Sequence, residues 1–531
     1  MNAKMSLALL FICSLVLSAC ATAAPTAIAI APQTSAPQPY VPFSAPTHAS
    51  ELFPPEPTSV PYSTHAPFPG AVPTPVDNYF RDYGVNPFVY AYEDHLSTFA
   101  LDVDTASYSV ARSYVMDGNL PPAESVRVEE FVNSFEQDYP NPPSVAFGVY
   151  ADGAPSPFHD DGTYILRFGV QGYEVPELER KPAVLTFVID VSGSMAEQNR
   201  LELVKQSLQL LVDRLRPQDS VAIVAYTTNA WVVLPSTSGE NRETILEAIY
   251  SLEPLQTTNA EAGLRLGYQL AYSAYQPGWT NRVILCSDGV ANVGATGPEE
   301  ILKSVRGYAD AGITLTTIGV GMGNFNDVLL EQLADKGDGN YAYVDTLDEA
   351  RDVFVNDLTS TLQVIALDAK VQVDFNADTV AYYRLIGYEN RAISDQSFRN
   401  DAVDAGEIGS GHSATALYAV VLREGAQGRL ATVQLRWQDP ESHAVQEING
   451  NFNSWDLADT FESASPRYQL DVVVAQYAEL LRASPWVGFS NIYMLRDYAY
   501  RLVELLPDDP DVAEFVTLVS QAARIEALTE R

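Results

Sequence analysis

The sequence predicts an α/β protein: a Rossmann-like, doubly wound and mostly parallel sheet, flanked by a β-sandwich-like region and closed by helices. Three observations predict it. From Ala183 to about Gln363, apolar runs such as AVLTFVID, VAIVAYTT, RVILCSDG and ITLTTIGVG alternate with amphipathic stretches. Apolar strands separated by helices belong to a parallel sheet covered on both faces. On either side, VAFGVYAD and TYILRFGVQGY, then DAKVQVDF, ATALYAVVLRE, LATVQLRW and VQEINGNF, alternate as half-buried strands do. Near the end, the stripes Leu470-Val474-Tyr477-Leu481 and Ile492-Leu495-Ala499-Leu502-Leu506 have helical spacing and predict two closing helices.

The elements follow in order. In residues 1–20, Lys4 precedes the run MSLALLFICSLVLSA, which is too short to span a membrane and long enough for a signal-peptide core. Residues 21–77 are rich in Pro, Ala, Ser and Thr, lack Lys and Arg, and predict a disordered, semi-extended tether. An α+β region over 78–180 opens with LSTFALDVDTASYSVARSYVMDG, a strand then a helix that Thr105 or Ser107 can cap. VRVEEFVNSFEQDY predicts a second helix.

Within the module at 181–363, the first helix carries the stripe Leu201, Val204, Leu208, Leu211 and Leu215. WVVLPST is expected to pair with VAIVAYTT across a short turn. Helices are expected over NRETILEAIYSLEP, AEAGLRLGYQLAYSAY, PEEILKSVRGYADAG, NDVLLEQLADKG and LDEARDVFVNDLTSTLQ, and a last strand over YAYVDT. Residues 364–531 form a β-rich and helical remainder. The two β-rich flanks each look too small to close alone, so one sandwich interrupted by the module is expected, with pairing between residues 145–175 and 368–437.

Composition excludes some functions. The chain has 31 Lys and Arg against 68 Asp and Glu, a net charge of −37, which repels phosphate backbones and argues against nucleic acid as a partner. Of three cysteines, Cys13 leaves with the leader, and Cys286 in VILC reads as a small core residue. The run LSAC, 17–20, resembles a bacterial lipobox. That resemblance implies cleavage before Cys20, lipid on its thiol, membrane attachment through that anchor, and a place in the bacterial cell envelope outside the cytoplasm. No intramolecular disulfide is then available, and packing must carry stability.

Chemistry concentrates where strands end. In an open α/β sheet the loops at the carboxyl ends of the strands converge on one edge. Here they offer Asp190, Ser192 and Ser194 from DVSGS, Thr257 and Thr258 from LQTTN, and Asp288 from CSDG. Carboxylates and hydroxyls without histidine or thiolate suit a hard dication, Mg²⁺ above all, with Mn²⁺ or Ca²⁺ as alternatives. DVDTAS, 102–107, echoes the acid–hydroxyl spacing, but a helix cap at a strand end explains it as well. ADKGDGNY, 334–341, lacks the EF-hand glutamate and spacing and reads as a helix-terminating turn.

Asp190-Val-Ser192-Gly-Ser194, a threonine some sixty residues on, and Asp288 together resemble the metal-ion-dependent adhesion site of von Willebrand factor type A domains. The resemblance implies Ser192, Ser194 and Thr258 as direct ligands, although Thr257 can serve as well. It implies Asp190 and Asp288 as ligands directly or through water, and a vacancy that a partner protein's carboxylate fills. The upstream segment LSTFALDVDTASYSVARSYVMDGNLPPAESVRVEEFVNSF and the region near Arg467 ending ELLRAS resemble the YfbK-type bacterial lipoproteins. The expected role is therefore metal-dependent binding rather than catalysis. Its rivals are a hydrolase that uses Asp190 and Asp288, and a metal-free scaffold. All six histidines lie outside 181–363, and no G-x-S-x-G elbow, P-loop or H-E-x-x-H appears, which leaves a hydrolase short of general bases.

Overall fold

The computed structural model describes Thr26–Ala27 and residues 78–529, apart from 102–103, 144, 256–258, 290–300, 302, 304–307, 309–310, 322–324, 358–361, 402 and 404. The leader with Cys20, all of the tether but Thr26–Ala27, and most of the helix expected over PEEILKSVRGYADAG lie outside the described residues. Among those described, no helix is long and apolar enough to cross a membrane.

The first elements are β1 (Thr26–Ala27), β2 (Val89–Tyr90), β3 (Leu96–Ala100), α1 (Ala106–Met116), α2 (Val128–Asn133), β4 (Phe147–Pro155) and β5 (Thr163–Gly172). The module contributes β6 (Ala183–Asp190), α3 (Arg200–Val212), β7 (Ser220–Tyr226), β8 (Ala230–Ser238), α4 (Arg242–Tyr250) and α5 (Ala260–Ser273). It continues with β9 (Thr280–Ser287), β10 (Thr314–Val320), α6 (Asp327–Asp335), β11 (Tyr341–Val344) and α7 (Leu347–Arg351). Then follow β12 (Val364–Phe375), β13 (Val380–Ile386), β14 (Gly406–Gly409), β15 (Ser413–Leu422), β16 (Arg429–Gln438) and β17 (Val445–Asn453). Helices α8 (Pro466–Leu481), α9 (Ile492–Leu505) and α10 (Pro510–Thr529) end the chain.

The module's sheet runs β11-β10-β9-β6-β7-β8, parallel except that β8 turns back on β7 as a hairpin. Every residue of β6 is buried, as its unbroken apolar run requires. One face packs against α3 and α4, including the stripe Leu201, Val204, Leu208, Leu211 and Leu215. The other packs against α5 and α6, and also against Ala106, Val110 and Tyr114 of α1. The segment before the module thus supplies part of the module's own cover. Helix α5 lies close on the sheet because two positions lack a Cβ: one at Gly263 would meet the Tyr226 ring at 2.6 Å, and one at Gly267 would meet Val188 at 2.3 Å.

The flanks build one sandwich. β15 pairs antiparallel with β5 from Ser413↔Gln171 to Val421↔Thr163, across the whole inserted module. One sheet is β1-β4-β5-β15-β13-β2; the other is β14-β12-β16-β17, with β3 beside β12. Phe147, Phe168, Val373, Tyr418, Val433 and Trp437 fill the space between them. Thr26–Ala27, in the stretch expected to be tether, pairs with Ala151 and Tyr150 on β4.

Several local expectations change. A third closing helix, α10, buries Val512, Phe515, Val519 and Ala522 at helical spacing, and Pro510 starts it where a missing N–H costs nothing. Strand β13 was not expected, because buried Arg384 breaks its alternation; its guanidinium donates to Glu479 at 3.3 Å. The second helix is only the six residues of α2. Neither Thr105 nor Ser107 caps α1 through its side chain. Ser107 instead donates to the Ser125 carbonyl at 2.6 Å. The acid of DVDTAS that is described, Asp104, accepts from Tyr341 N at 3.0 Å and from Arg391 at 3.1 Å, a structural role.

Buried arginines fasten the module to the sandwich body. Arg127, beside α2, pairs with Glu130 and with Asp327 of α6 at 2.9 Å. Arg112 of α1 pairs with Asp345, with Glu349 of α7 at 2.7 Å, and with Glu514 of α10 at 3.1 Å. Glu129 beside this network has no cation of its own among the described residues. Burial, then Glu389 and Glu130, push its carboxyl from 4.5 up to about 8, although Tyr388 N–H donates to it at 2.8 Å. Between those two values the folded state holds a proton that the unfolded state has released, so this group's contribution to stability falls as pH rises. Chemical denaturation measured from pH 5 to 8 should show a shallower decline for Glu129→Gln than for the parent; equal slopes would contradict the assignment.

Candidate metal centre

Asp190 ends the central strand β6 and is fully buried, so each of its oxygens must find a donor. Oδ1 accepts from Ser192 N at 2.8 Å; Oδ2 accepts from Ser287 Oγ at 3.0 Å and Tyr226 OH at 3.2 Å. Those hydroxyls sit at the ends of β9 and β7, the neighbours of β6. Even so, burial and then Asp288 raise the Asp190 carboxyl to about 7, against the bonds from Ser192 and Ser287. Asp190 is thus a fixed holder, with both oxygens engaged inside the protein.

The turn after β6 brings Ser192 Oγ to 3.0 Å from Ser194 Oγ. Oxygens in adjacent positions around an octahedral ion, each about 2.0–2.1 Å from it, lie about 2.9 Å apart. The spacing of the two hydroxyls therefore fits a small dication. Asp288, just past β9, is also fully buried. Its Oδ1 has no hydrogen-bond partner among the described residues, a costly state for a carboxylate oxygen and one that a cation would relieve. Burial raises its carboxyl, while Ser194 and Arg200 pull it back. Among the described residues no three His, Cys, Asp or Glu side chains gather as a metal cluster, so a cation here would depend on the serine hydroxyls beside Asp288.

Of the five sequence-expected site residues, the structure brings Asp190, Ser192, Ser194 and Asp288 to one edge of the sheet. Thr258, and Thr257 with it, lie outside the described residues. Their flanks are placed: Leu255 N donates to Val191 O at 2.6 Å, and Asn259 caps α5 by accepting from Ala262 N at 3.1 Å. Cys286, one strand position before Ser287, is a buried thiol pushed up to about 12 by burial, as a core residue should be.

Sequence reasoning missed Arg200. Its guanidinium is 3 % exposed, donates to Asp288 Oδ2 at 3.0 Å and to the Ser194 carbonyl at 3.2 Å. Its side chain passes close to Gly321 (φ +74°), where a Cβ would stand 2.1 Å from Arg200 Nε. A signal was present: Arg200 opens α3, and a cation at a helix N-terminus opposes the macrodipole, the kind of local conflict that marks a functional position.

Strand order, covering helices and acid–hydroxyl loops at the strand ends define a von Willebrand factor type A domain protein. Family models match as "von Willebrand factor type A domain" over 185–356, "von Willebrand factor" over 74–166 and "Uncharacterized protein YfbK, C-terminal" over 360–430. Uncharacterized protein YfbK of Escherichia coli (strain K12) is 34% identical over 480 residues, 85% of this chain and 82% of that protein. The chain belongs to the YfbK family. Human inter-alpha-trypsin inhibitor heavy chain H3 is 29% identical over 187 residues, 34% of this chain but 20% of that one. Among solved structures, a von Willebrand factor type A protein from Catenulispora acidiphila is 15% identical, with TM-score 0.40, covering 70% of this chain and 89% of that one.

Removing one partner of a buried ion pair leaves the other charge uncompensated, at a cost of about 3–5 kcal/mol. Arg200→Met should therefore lower unfolding free energy by about that amount in chelator. Urea denaturation checks it, and a loss below about 1 kcal/mol would show that Arg200 does not compensate Asp288.

Proposed function

We propose that this protein is a cell-envelope lipoprotein whose type A domain binds a divalent cation and, through it, a carboxylate of a protein partner. The observation that carries the reading is the pair of serine hydroxyls 3.0 Å apart beside a buried Asp288 oxygen that has no partner among the described residues. Ser192, Ser194 and Asp288 would hold the ion, with Thr258 or Thr257, and Mg²⁺ fits this donor set, with Mn²⁺ or Ca²⁺ as alternatives. When bound, the cation supplies an electrophilic vacancy for an acidic ligand. The chain's own residues do the rest. Asp190, clamped by Ser287 and Tyr226, anchors the D-x-S-x-S turn through Ser192 N. Arg200 neutralises one of the two acids, so a loaded site keeps excess positive charge that an anionic partner group offsets.

Membership in the type A class favours binding over catalysis, and the absence of histidine from 181–363 agrees. Two measurements test the reading. Mg²⁺ should raise the thermal midpoint of the full chain saturably, and chelator should reverse it, because a ligand held only by the native state stabilises by RT ln(1 + [L]/Kd). Asp190→Ala and Ser192→Ala should each remove the rise. A parent with no rise would refute the site, and turnover of an ester or phosphate panel would refute pure binding. For the anchor, Cys20→Ala should move the protein from the membrane to the soluble fraction; unchanged fractionation would contradict the lipid.

A further inference from the structure

A second site lies where α1, the loop after α2, the sandwich edge, α7 and α10 meet. The cleft there encloses about 540 Å³. Among the described residues its lining carries seven Asp and Glu side chains and one arginine, Arg112. That arginine is already spent on Asp345, Glu349 and Glu514. Asp138 is taken by Arg467. Among the described residues Glu136, Glu174 and Asp511 have no ion-pair partner, although Arg467 lies close enough to Glu136 to draw its pKa down somewhat.

Crowding shows in the titration of Glu136 and Asp511. Burial, then Asp509, Asp352 and Glu514, raise the Asp511 carboxyl to about 6; burial and Asp138 raise that of Glu136. An independent observation points to a ligand. Tyr108 lines the cleft, is 4 % exposed, and its hydroxyl has no hydrogen-bond partner among the described residues. Its ring is fixed edge-on by Phe131 and Phe135, which sets the hydroxyl in the field of Arg112, Glu514 and Asp511. A buried phenol left unpaired costs free energy, and a ligand N–H would satisfy its lone pairs. Among the described residues, no three of these acids converge as a metal cluster.

We propose that this cleft binds an elongated organic cation whose ammonium groups lie against Glu136, Asp511 and Glu174, with Tyr108 accepting one N–H. That chemistry comes from a polyamine or from a lysine-rich segment of a peptide. It is separate from the D-x-S-x-S turn and does not require metal.

Calorimetric titration of the full chain with spermidine, and separately with tetralysine, tests it at fixed ionic strength. Saturable binding of either probe is expected; spermidine alone names a polyamine site, and tetralysine alone a peptide site. Glu136→Gln with Asp511→Asn should weaken binding about tenfold or more. Tyr108→Phe should weaken it several-fold while leaving the free protein's thermal midpoint unchanged or higher, since it deletes an unpaired buried hydroxyl. Glu240→Gln with Glu243→Gln, which removes the same charge at exposed positions, should change nothing. No saturable binding of either probe, or equal losses from the cleft pair and the control pair, would overturn the proposal.

Discussion

Everything at the candidate centre follows from placing two carboxylates at the ends of strands buried on both faces. An unpaired charge there costs several kcal/mol, so the surrounding elements are constrained to supply donors. β7 must end in Tyr226, β9 in Ser287, and the turn after β6 must present Ser192 N, because these satisfy Asp190. Asp288 draws the opposite solution, a buried cation, and Arg200 reaches it only because Gly321 carries no side chain. Neither acid is satisfied by its own loop alone. The convergence of several loops is therefore a condition of folding as well as of binding.

The module does not stand apart from its flanks. Helix α1, which precedes it by some seventy residues, completes the apolar cover over β9–β11, and Arg112 and Arg127 tie that helix region to α6 and α7. The sandwich is built from both sides of the insertion, so its edge, α10 and the module's last helix meet at one place. The acidic cleft arises at that junction. Its lining comes from segments far apart in sequence, and its uncompensated charge persists because the one arginine present is drawn into fastening the bodies together.

How much was legible differs by element. The stripe through Leu201 and Leu211, the unbroken run of β6 and the alternation of β5 and β15 name their elements because burial imposes those periods directly. Helix α10 is equally legible, from the helical spacing of Val512, Phe515, Val519 and Ala522. Strand β13 was not, since Arg384 occupies a core position only by virtue of Glu479, a residue of a distant helix. At the site, Asp190, Ser192, Ser194 and Asp288 could be named from type and spacing. The donors Ser287 and Tyr226 could not, and Arg200 showed only as a cation at a helix start, without its partner Asp288.

By itself the sequence determined most of the strands and helices, where acids and hydroxyls stand at strand ends, and which family the chain resembles. Those properties are local, set by periodicity and residue chemistry within a few positions. Tertiary structure alone decided that β5 pairs with β15 across the whole module, that α1 roofs the sheet, and that Arg200 rather than a neighbouring residue compensates Asp288. These are pairings between residues tens to hundreds of positions apart, chosen because burial leaves each charge or edge one geometrically available partner.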